Sequence, residues 1–263
     1  MPSLPIAIAT RPLGLPIRQA LDAIAGSGCQ GVQLELQQEV REQELGETGR
    51  RQLMHYLEER NLKVGPATFA LRRSLLEPTG LDGRIDAIRR AMSFAWKLGA
   101  NVLTMTLGEL PADSTPAAET ARQVLEDLAA HANQVGVVPT LIVGNASAAR
   151  LAEVLKSITV GPIALDVDPA SLTVGRQSPT DWMRELHPYL QHVQLRDAVR
   201  EPGGIGREVA INDGEVDWPE FAAALQEIDY RHWLTVIRSS GTSPLDDALI
   251  GLKFIRRLLL HSH

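Results

Sequence analysis

The sequence of 263 residues has one cysteine, no excess of positive charge and no long apolar run. Each of these absences excludes a class of protein. Cys29 is its only cysteine, so no disulfide can form within the chain, and we expect a reducing, cytoplasmic setting. The most apolar stretch, residues 135–143, contains Gly136, Pro139 and Thr140 and is too short to cross a bilayer. No basic segment followed by an apolar one opens the sequence, so we expect neither a signal peptide nor a membrane partner.

Positive charge is also in deficit, with 26 Lys and Arg residues against 32 Asp and Glu residues and a net charge of −6. A protein that follows a phosphate backbone needs clustered Lys and Arg side chains. The basic pairs Arg72-Arg73, Arg89-Arg90 and Arg256-Arg257 are short and isolated. We therefore predict no nucleic-acid partner.

Short apolar, β-branched runs alternate along the chain with amphipathic helical patterns. The predicted strands are Ile6–Ala9, Gly31–Leu36, Lys63–Phe69, Asn101–Leu107, Val137–Val143, Pro162–Asp168, Gln191–Leu195 and Trp233–Ile237. The predicted helices are Pro16–Ala25, Gly46–Arg60, Asp82–Leu98, Thr115–Val135, Ala148–Lys156, Pro179–Leu186, Pro219–Ile228 and Pro244–Leu259.

Strict alternation of strand and helix predicts a parallel sheet, and units of about 30 residues predict its closure into a barrel. The predicted fold is therefore α/β, a single (β/α)₈ TIM barrel over residues 1–263. An open doubly wound sheet is the alternative. It is disfavoured because Thr10-Arg11-Pro12-Leu13-Gly14, after the first strand, is not the glycine-rich phosphate loop of that fold.

Reactive side chains of such barrels lie at the carboxyl ends of the strands. Polar residues are found at several of these strand ends, and two of them are assigned structural roles. Asp166 is expected to be hydrogen-bonded within the barrel, and His192 to be a satisfied core histidine. The remaining residues are candidates for a ligand site at the barrel mouth: Gln33, Glu35, Arg72, Asp168, Gln194, Arg196, Asp197 and Arg238.

Five segments, taken in order, resemble the xylose-isomerase-like family of sugar phosphate isomerases and epimerases. Gly31–Leu34 is similar to its GVEL second strand, and Asp166–Leu172 to its LDPANL strand end. His192–Ala198 is similar to its HVHxRDA strand, Asn212–Trp218 to its GxGxVDW turn, and Trp233–Arg238 to its final WxTVER strand. The resemblance covers nearly the whole chain.

The resemblance implies one divalent cation, held by a Glu after strand five, an Asp after strand six, a His on strand seven and a Glu on strand eight. The two glutamates would also move the proton beside the sugar carbonyl. The corresponding positions here are Gly144, Asp168, Gln194 and Ile237. Only Asp168 is a carboxylate, so we expect a degenerate metal site and no cofactor, unless Glu35 or Asp197 compensates.

Two interpretations of the function follow. The first is a member of this lineage that has lost metal-dependent activity and binds a small sugar, polyol or anion at the mouth. The second is an active isomerase or epimerase with a rearranged or metal-independent site that uses Asp168, Asp197, Arg196 and Arg238. The arginines at the mouth either bind a phosphate or carboxylate or neutralise nearby acids. A homo-oligomer is compatible with either interpretation.

Overall fold

Eight parallel strands close into a barrel in the computed structural model, which describes residues 4–143 and 146–261. The first barrel strand pairs with the last, Ile6 beside Leu234, which closes the sheet. The predicted (β/α)₈ barrel is confirmed. The barrel strands are β1 Ile6–Ala9, β2 Gly31–Glu35, β3 Lys63–Thr68, β4 Val102–Gly108, β5 Val138–Val143, β6 Ala164–Val167, β7 Leu190–Leu195 and β10 Trp233–Val236.

Helices follow the strands and cover the outside of the barrel. Several begin with a side chain that accepts a free backbone N–H of the first turn, as Thr115 does from Ala118 and Ser178 from Asp181, with Pro directly after the capping residue. Within the described part of the chain no helix is long and apolar enough to cross a membrane. The helices are α1 Ile17–Ile24, α2 Glu42–Glu58, α3 Leu81–Lys97, α4 Pro116–Val135, α5 Ala148–Ser157, α6 Pro169–Val174, α7 Pro179–Leu186, α8 Trp218–Glu227 and α9 Pro244–His261, with 3₁₀ turns at Arg11–Leu13 and His187–Tyr189.

The sequence patterns did not predict two elements, helix α6 and an antiparallel hairpin of β8 Asp197–Arg200 and β9 Gly206–Val209. The hairpin packs on α6, where the Arg200 side chain donates to the Val174 carbonyl at 3.1 Å. Both elements are short and depend on this mutual contact, so neither has a strong periodic signal of its own. Together they place additional groups beside the carboxyl end of the barrel.

The amino end of the barrel is filled by the indole of Trp233. A Cβ atom at Gly31 would lie 2.8 Å from this ring, and one at Gly65 would lie 3.1 Å from it. Position 31 therefore faces the interior. Because side chains of a strand alternate between its two faces, Gln33 and Glu35 face the interior too.

The fit between Gly31 and Trp233 gives a stability prediction. We expect Gly31→Ala to lower the free energy of unfolding by about 2 kcal/mol, because the added methyl collides with the ring and with the Lys63 carbonyl. The measurement is urea unfolding followed by tryptophan fluorescence.

Gly83→Ala is the matched control, since a Cβ there contacts nothing within 4 Å and lies on helix α3. We expect this change to stabilise the protein slightly, by about 0.5 kcal/mol. Equal effects of the two substitutions would contradict the packing described for Trp233.

Candidate functional site

A layer of polar groups spans the barrel interior above Trp233. The Gln194 amide donates to Oδ2 of Asp166 at 2.9 Å, and Nε2 of His192 lies 2.7 Å from the Thr235 hydroxyl. Nδ1 of His192 is 2.9 Å from Oδ1 of Asp166, although neither atom is aligned for a hydrogen bond. Asp166 is thus hydrogen-bonded within the barrel, as expected, and fixes the orientation of the Gln194 amide. His192 is buried as expected but is only half satisfied, since its Nδ1 has no hydrogen-bond partner among the described residues.

Asp168 caps helix α6 and forms an ion pair at the same time. Its Oδ1 accepts from the backbone N–H groups of Ala170 and Ser171, and its Oδ2 accepts from the Ser171 hydroxyl at 2.7 Å. The guanidinium of Arg196 donates to the same Oδ2 at 2.7 Å. Both carboxylate oxygens are therefore occupied by donors of the protein itself.

The ion pair of Asp168 is the first of a row of alternating charges along the rim. Arg196 also donates to Glu208 of the hairpin at 2.8 Å, and Glu208 lies 3.3 Å from Arg238. Arg238 in turn donates through Nε to Asp247 of helix α9 at 2.9 Å. The row joins β6, β7, the hairpin, the last barrel strand and α9, so it holds the hairpin against the mouth.

These contacts favour the charged forms of Arg196 and Glu208. Burial alone would lower the pKa of Arg196, but the charges of Asp168 and Glu208 outweigh it and raise that pKa. Burial alone would likewise raise the pKa of Glu208, but hydrogen bonds from Ser239 and Arg196 leave it below the ordinary glutamate value. The ion pair between Arg196 and Glu208 is therefore charged on both sides at neutral pH.

Asp197 anchors the loop that follows the hairpin. Its two oxygens accept from the backbone N–H groups of residues 198, 212, 214 and 216 and from the Trp218 indole. Gly214 approaches so closely that a Cβ there would lie 1.9 Å from the carboxylate. With 0% exposure, Asp197 faces the loop and holds no free oxygen toward the mouth.

Glu35 has a similar role after the second and third strands. Its carboxylate accepts from the backbone N–H groups of Gln37 at 2.9 Å, Gln38 at 2.6 Å and Ala70 at 3.0 Å. The arginines of the mouth do not neutralise Glu35 or Asp197. Their acidic partners are Asp168, Glu208 and Asp247, and the sequence singled out only the first of these.

The remaining candidates differ in exposure and in partners. Gln33 is buried, and its Nε2 has no hydrogen-bond partner within the described residues. Arg72 is exposed and is not part of the ion-pair row. Ile237 is half-buried and offers no metal ligand, whereas Gly144 lies outside the described residues. Among residues 4–143 and 146–261, no three His, Cys, Asp or Glu side chains are grouped so that they could hold a metal ion.

Glu208, Asp247 and Ser239 are the rim residues that sequence reasoning missed. Glu208 lies outside every motif segment, and its role follows only from the hairpin. The available signal was the polar run Ser239-Ser240-Gly241-Thr242-Ser243 directly after the last barrel strand, where a barrel places ligand-binding loops.

Residues 21–258 match the model of a family described as xylose isomerase-like TIM barrel. A xylose isomerase domain protein from Planctomyces limnophilus is 21% identical, with a TM-score of 0.86 and 98% of each chain covered. A magnesium complex of a xylose isomerase-like TIM barrel protein from Mycobacterium smegmatis is 14% identical, with a TM-score of 0.78 and coverage of 99% of this chain and 98% of the other. D-psicose 3-epimerase of Clostridium cellulolyticum H10, solved with D-tagatose, is 13% identical, with a TM-score of 0.77 and coverage of 97% and 99%. No curated protein matches the chain in sequence.

The contacts of Asp197 give a prediction that separates anchoring from ligand binding. We expect Asp197→Asn to lower the free energy of unfolding by about 3 kcal/mol, because an amide N–H₂ would replace an acceptor that faces backbone and indole N–H groups. The measurement is chemical denaturation at neutral pH.

Asp213→Asn, an exposed change on the same loop, is the control and should stay within about 0.5 kcal/mol of the parent protein. A stable Asp197→Asn protein would show that the five contacts of Asp197 contribute little to stability.

Proposed function

Because the chain belongs to the xylose isomerase-like TIM barrel family, we propose that its mouth retains the family's ability to accept a small polyhydroxy molecule. The ligand class is a sugar or polyol, bound through neutral hydrogen-bonding groups without a metal ion. In this proposal the metal-dependent isomerase or epimerase chemistry of the lineage has been lost. The observation that carries the proposal is the buried, unpartnered amide of Gln33.

The side chains at the expected metal positions do not fit a divalent cation. Such an ion takes about six oxygen ligands, usually with several carboxylates among them. The Asp168 oxygens already accept from Arg196 and from the start of α6, and the Gln194 amide nitrogen is directed at Asp166. Ile237 has no donor atom, and Gly144 has no side chain at all. One shared carboxylate and one amide oxygen are too few.

The same groups suit a neutral ligand. A buried amide N–H without a protein acceptor is costly unless a bound molecule supplies the acceptor. Gln33 offers this donor on the interior face, and Gln194, oriented by Asp166, keeps its Oε1 as an acceptor. A hydroxyl group can accept from the first and donate to the second. The charged groups around them are already paired, so the hydroxyl groups of the ligand are recognised by these neutral donors and acceptors.

The alternative, an active metal-independent isomerase or epimerase, needs a free base beside the substrate carbon. The two acids available for that role, Asp168 and Asp197, each accept several hydrogen bonds from the protein. The oxygens of both acids are therefore occupied by donors of the protein and are not free to accept a proton from a substrate carbon. The described residues therefore favour binding over proton transfer.

The test compares ligand affinity with stability in one variant. We expect Gln33→Leu to weaken the binding of sugars and polyols by about fivefold to tenfold, because one hydrogen bond to the ligand is lost. The same change should leave the free energy of unfolding unchanged or raised, since it removes an unpartnered polar group. Titration calorimetry with a panel of ketoses, aldoses and polyols measures the first quantity and urea unfolding the second.

Gln123→Leu, on the exposed face of α4, is the matched control and should alter neither the ligand affinity nor the free energy of unfolding. Two further outcomes would overturn the proposal. One is a manganese or magnesium ion held stoichiometrically by the protein after dialysis. The other is incorporation of solvent deuterium into any ketose of the panel, which would reveal proton abstraction by an active isomerase.

A further inference from the structure

We propose that Arg196, Arg238 and Ser239 form a binding site for an oxyanion, and that Glu208 occupies this site as an internal substitute. The ligand group is a phosphoryl or carboxylate group of the molecule that enters the mouth. This inference deepens the proposed function, on which its biological meaning rests, by adding an anionic group to the polyhydroxy ligand.

The carboxylate of Glu208 shows how such a group is bound. Its Oε1 accepts from the Ser239 backbone N–H at 2.7 Å and lies 3.3 Å from Nη1 of Arg238. Its Oε2 accepts from Nη2 of Arg196 at 2.8 Å and from the Ser239 hydroxyl at 2.6 Å. Two guanidinium groups, one backbone N–H and one hydroxyl converging on two oxygens are the donors that proteins use for phosphate and carboxylate groups.

Glu208 does not use all the donors that the site offers. Nε and Nη2 of Arg196 lie on the same edge of the guanidinium, and only Nη2 reaches the carboxylate. Nε is buried and has no partner within the described residues. A phosphoryl group has three terminal oxygens and can engage both donors of such an edge. The site is therefore better matched to a phosphoryl group than to the glutamate that fills it.

The position of these donors supports a ligand role. Arg196 directly follows the seventh barrel strand, and Ser239 lies in the Ser- and Gly-containing loop after the eighth. TIM barrels frequently bind phosphate with the loops after these two strands. Arg196 also contacts Asp168, so the proposed site adjoins the part of the mouth that Gln194 lines.

Charge balance permits Glu208 to leave the site. Arg196 is already paired with Asp168, and Arg238 with Asp247. Glu208 is a third acid shared by two bases, so neither arginine becomes unpaired when it moves away. The Glu208 side chain is 10% exposed, so it lies at the edge of the site that faces solvent.

The experiment removes the internal carboxylate and measures phosphate binding directly. We expect Glu208→Gln to bind inorganic phosphate at least about tenfold more tightly than the parent protein, because a neutral amide holds the two guanidinium groups less strongly than the carboxylate and is displaced more easily. Calorimetry and phosphate-dependent thermal shifts at constant ionic strength, balanced with chloride, give the two affinities. Acetate in a parallel titration shows whether the site prefers a phosphoryl or a carboxylate group.

Three further variants test whether the effect is specific. Glu201→Gln removes an acid of the same hairpin that pairs with Arg207 on the exposed side, and it should leave phosphate affinity unchanged. Ser239→Ala in the Glu208→Gln background should reverse part of the gain, because it removes one of the four donors. Glu208→Asp, which keeps the charge but withdraws the carboxylate, should give an intermediate affinity even if Glu208→Gln folds poorly.

The proposal is overturned if folded Glu208→Gln and Glu208→Asp proteins bind phosphate no better than the parent protein. It is equally overturned if Glu201→Gln gives the same gain, since the effect would then be one of net charge. Neither result bears on the binding of sugars by Gln33. Conversely, suppose that Gln33→Leu leaves sugar affinity unchanged while Glu208→Gln still binds phosphate more tightly. That outcome would contradict the proposed function and support the oxyanion site.

Discussion

A carboxylate taken out of water must be matched by donors, and the carboxyl end of this barrel is built around that requirement. Three of the buried acids meet this requirement in different ways. Asp168 uses a helix start and an arginine, Asp197 uses a loop and an indole, and Glu35 uses three backbone N–H groups. In relatives of this family, a bound cation is expected to balance the acids at the barrel mouth. In the described residues of this chain, N–H groups of the protein donate to these acids.

The barrel itself could be predicted from the sequence because it depends on repeated local signals. The alternation of apolar strand and amphipathic helix recurs through the chain, and the observed bounds of β1 and of α7 coincide with those predicted. The hairpin and α6 were missed for the opposite reason. Each is too short to have a period, and each is stabilised by packing against the other.

The candidate site could be predicted only in part. Asp168, Gln194, Arg196 and Arg238 do lie at the mouth, since the end of a strand fixes where its next residues go. Their partners could not be read from the sequence. Glu208 reaches both arginines from a hairpin that the patterns did not show. Arg72, although it follows a strand, is exposed and takes no part in the row of ion pairs.

The place of a residue in a family motif does not by itself fix its role. Asp168 occupies the position of an expected metal ligand, and in this structure its contacts are those of a helix cap and an ion-pair partner. These contacts stabilise the start of α6 after β6. Family membership does not fix the chemistry of such a barrel. The hydrogen-bond partners of a carboxylate indicate its role better than its residue type does.

The tryptophan that lies at one end of the barrel restricts the direction of access. The indole of Trp233 packs against Gly31 and Gly65 and so obstructs the amino end of the barrel. The ligand proposed above would therefore approach Gln33 and Gln194 from the carboxyl end, beside the hairpin.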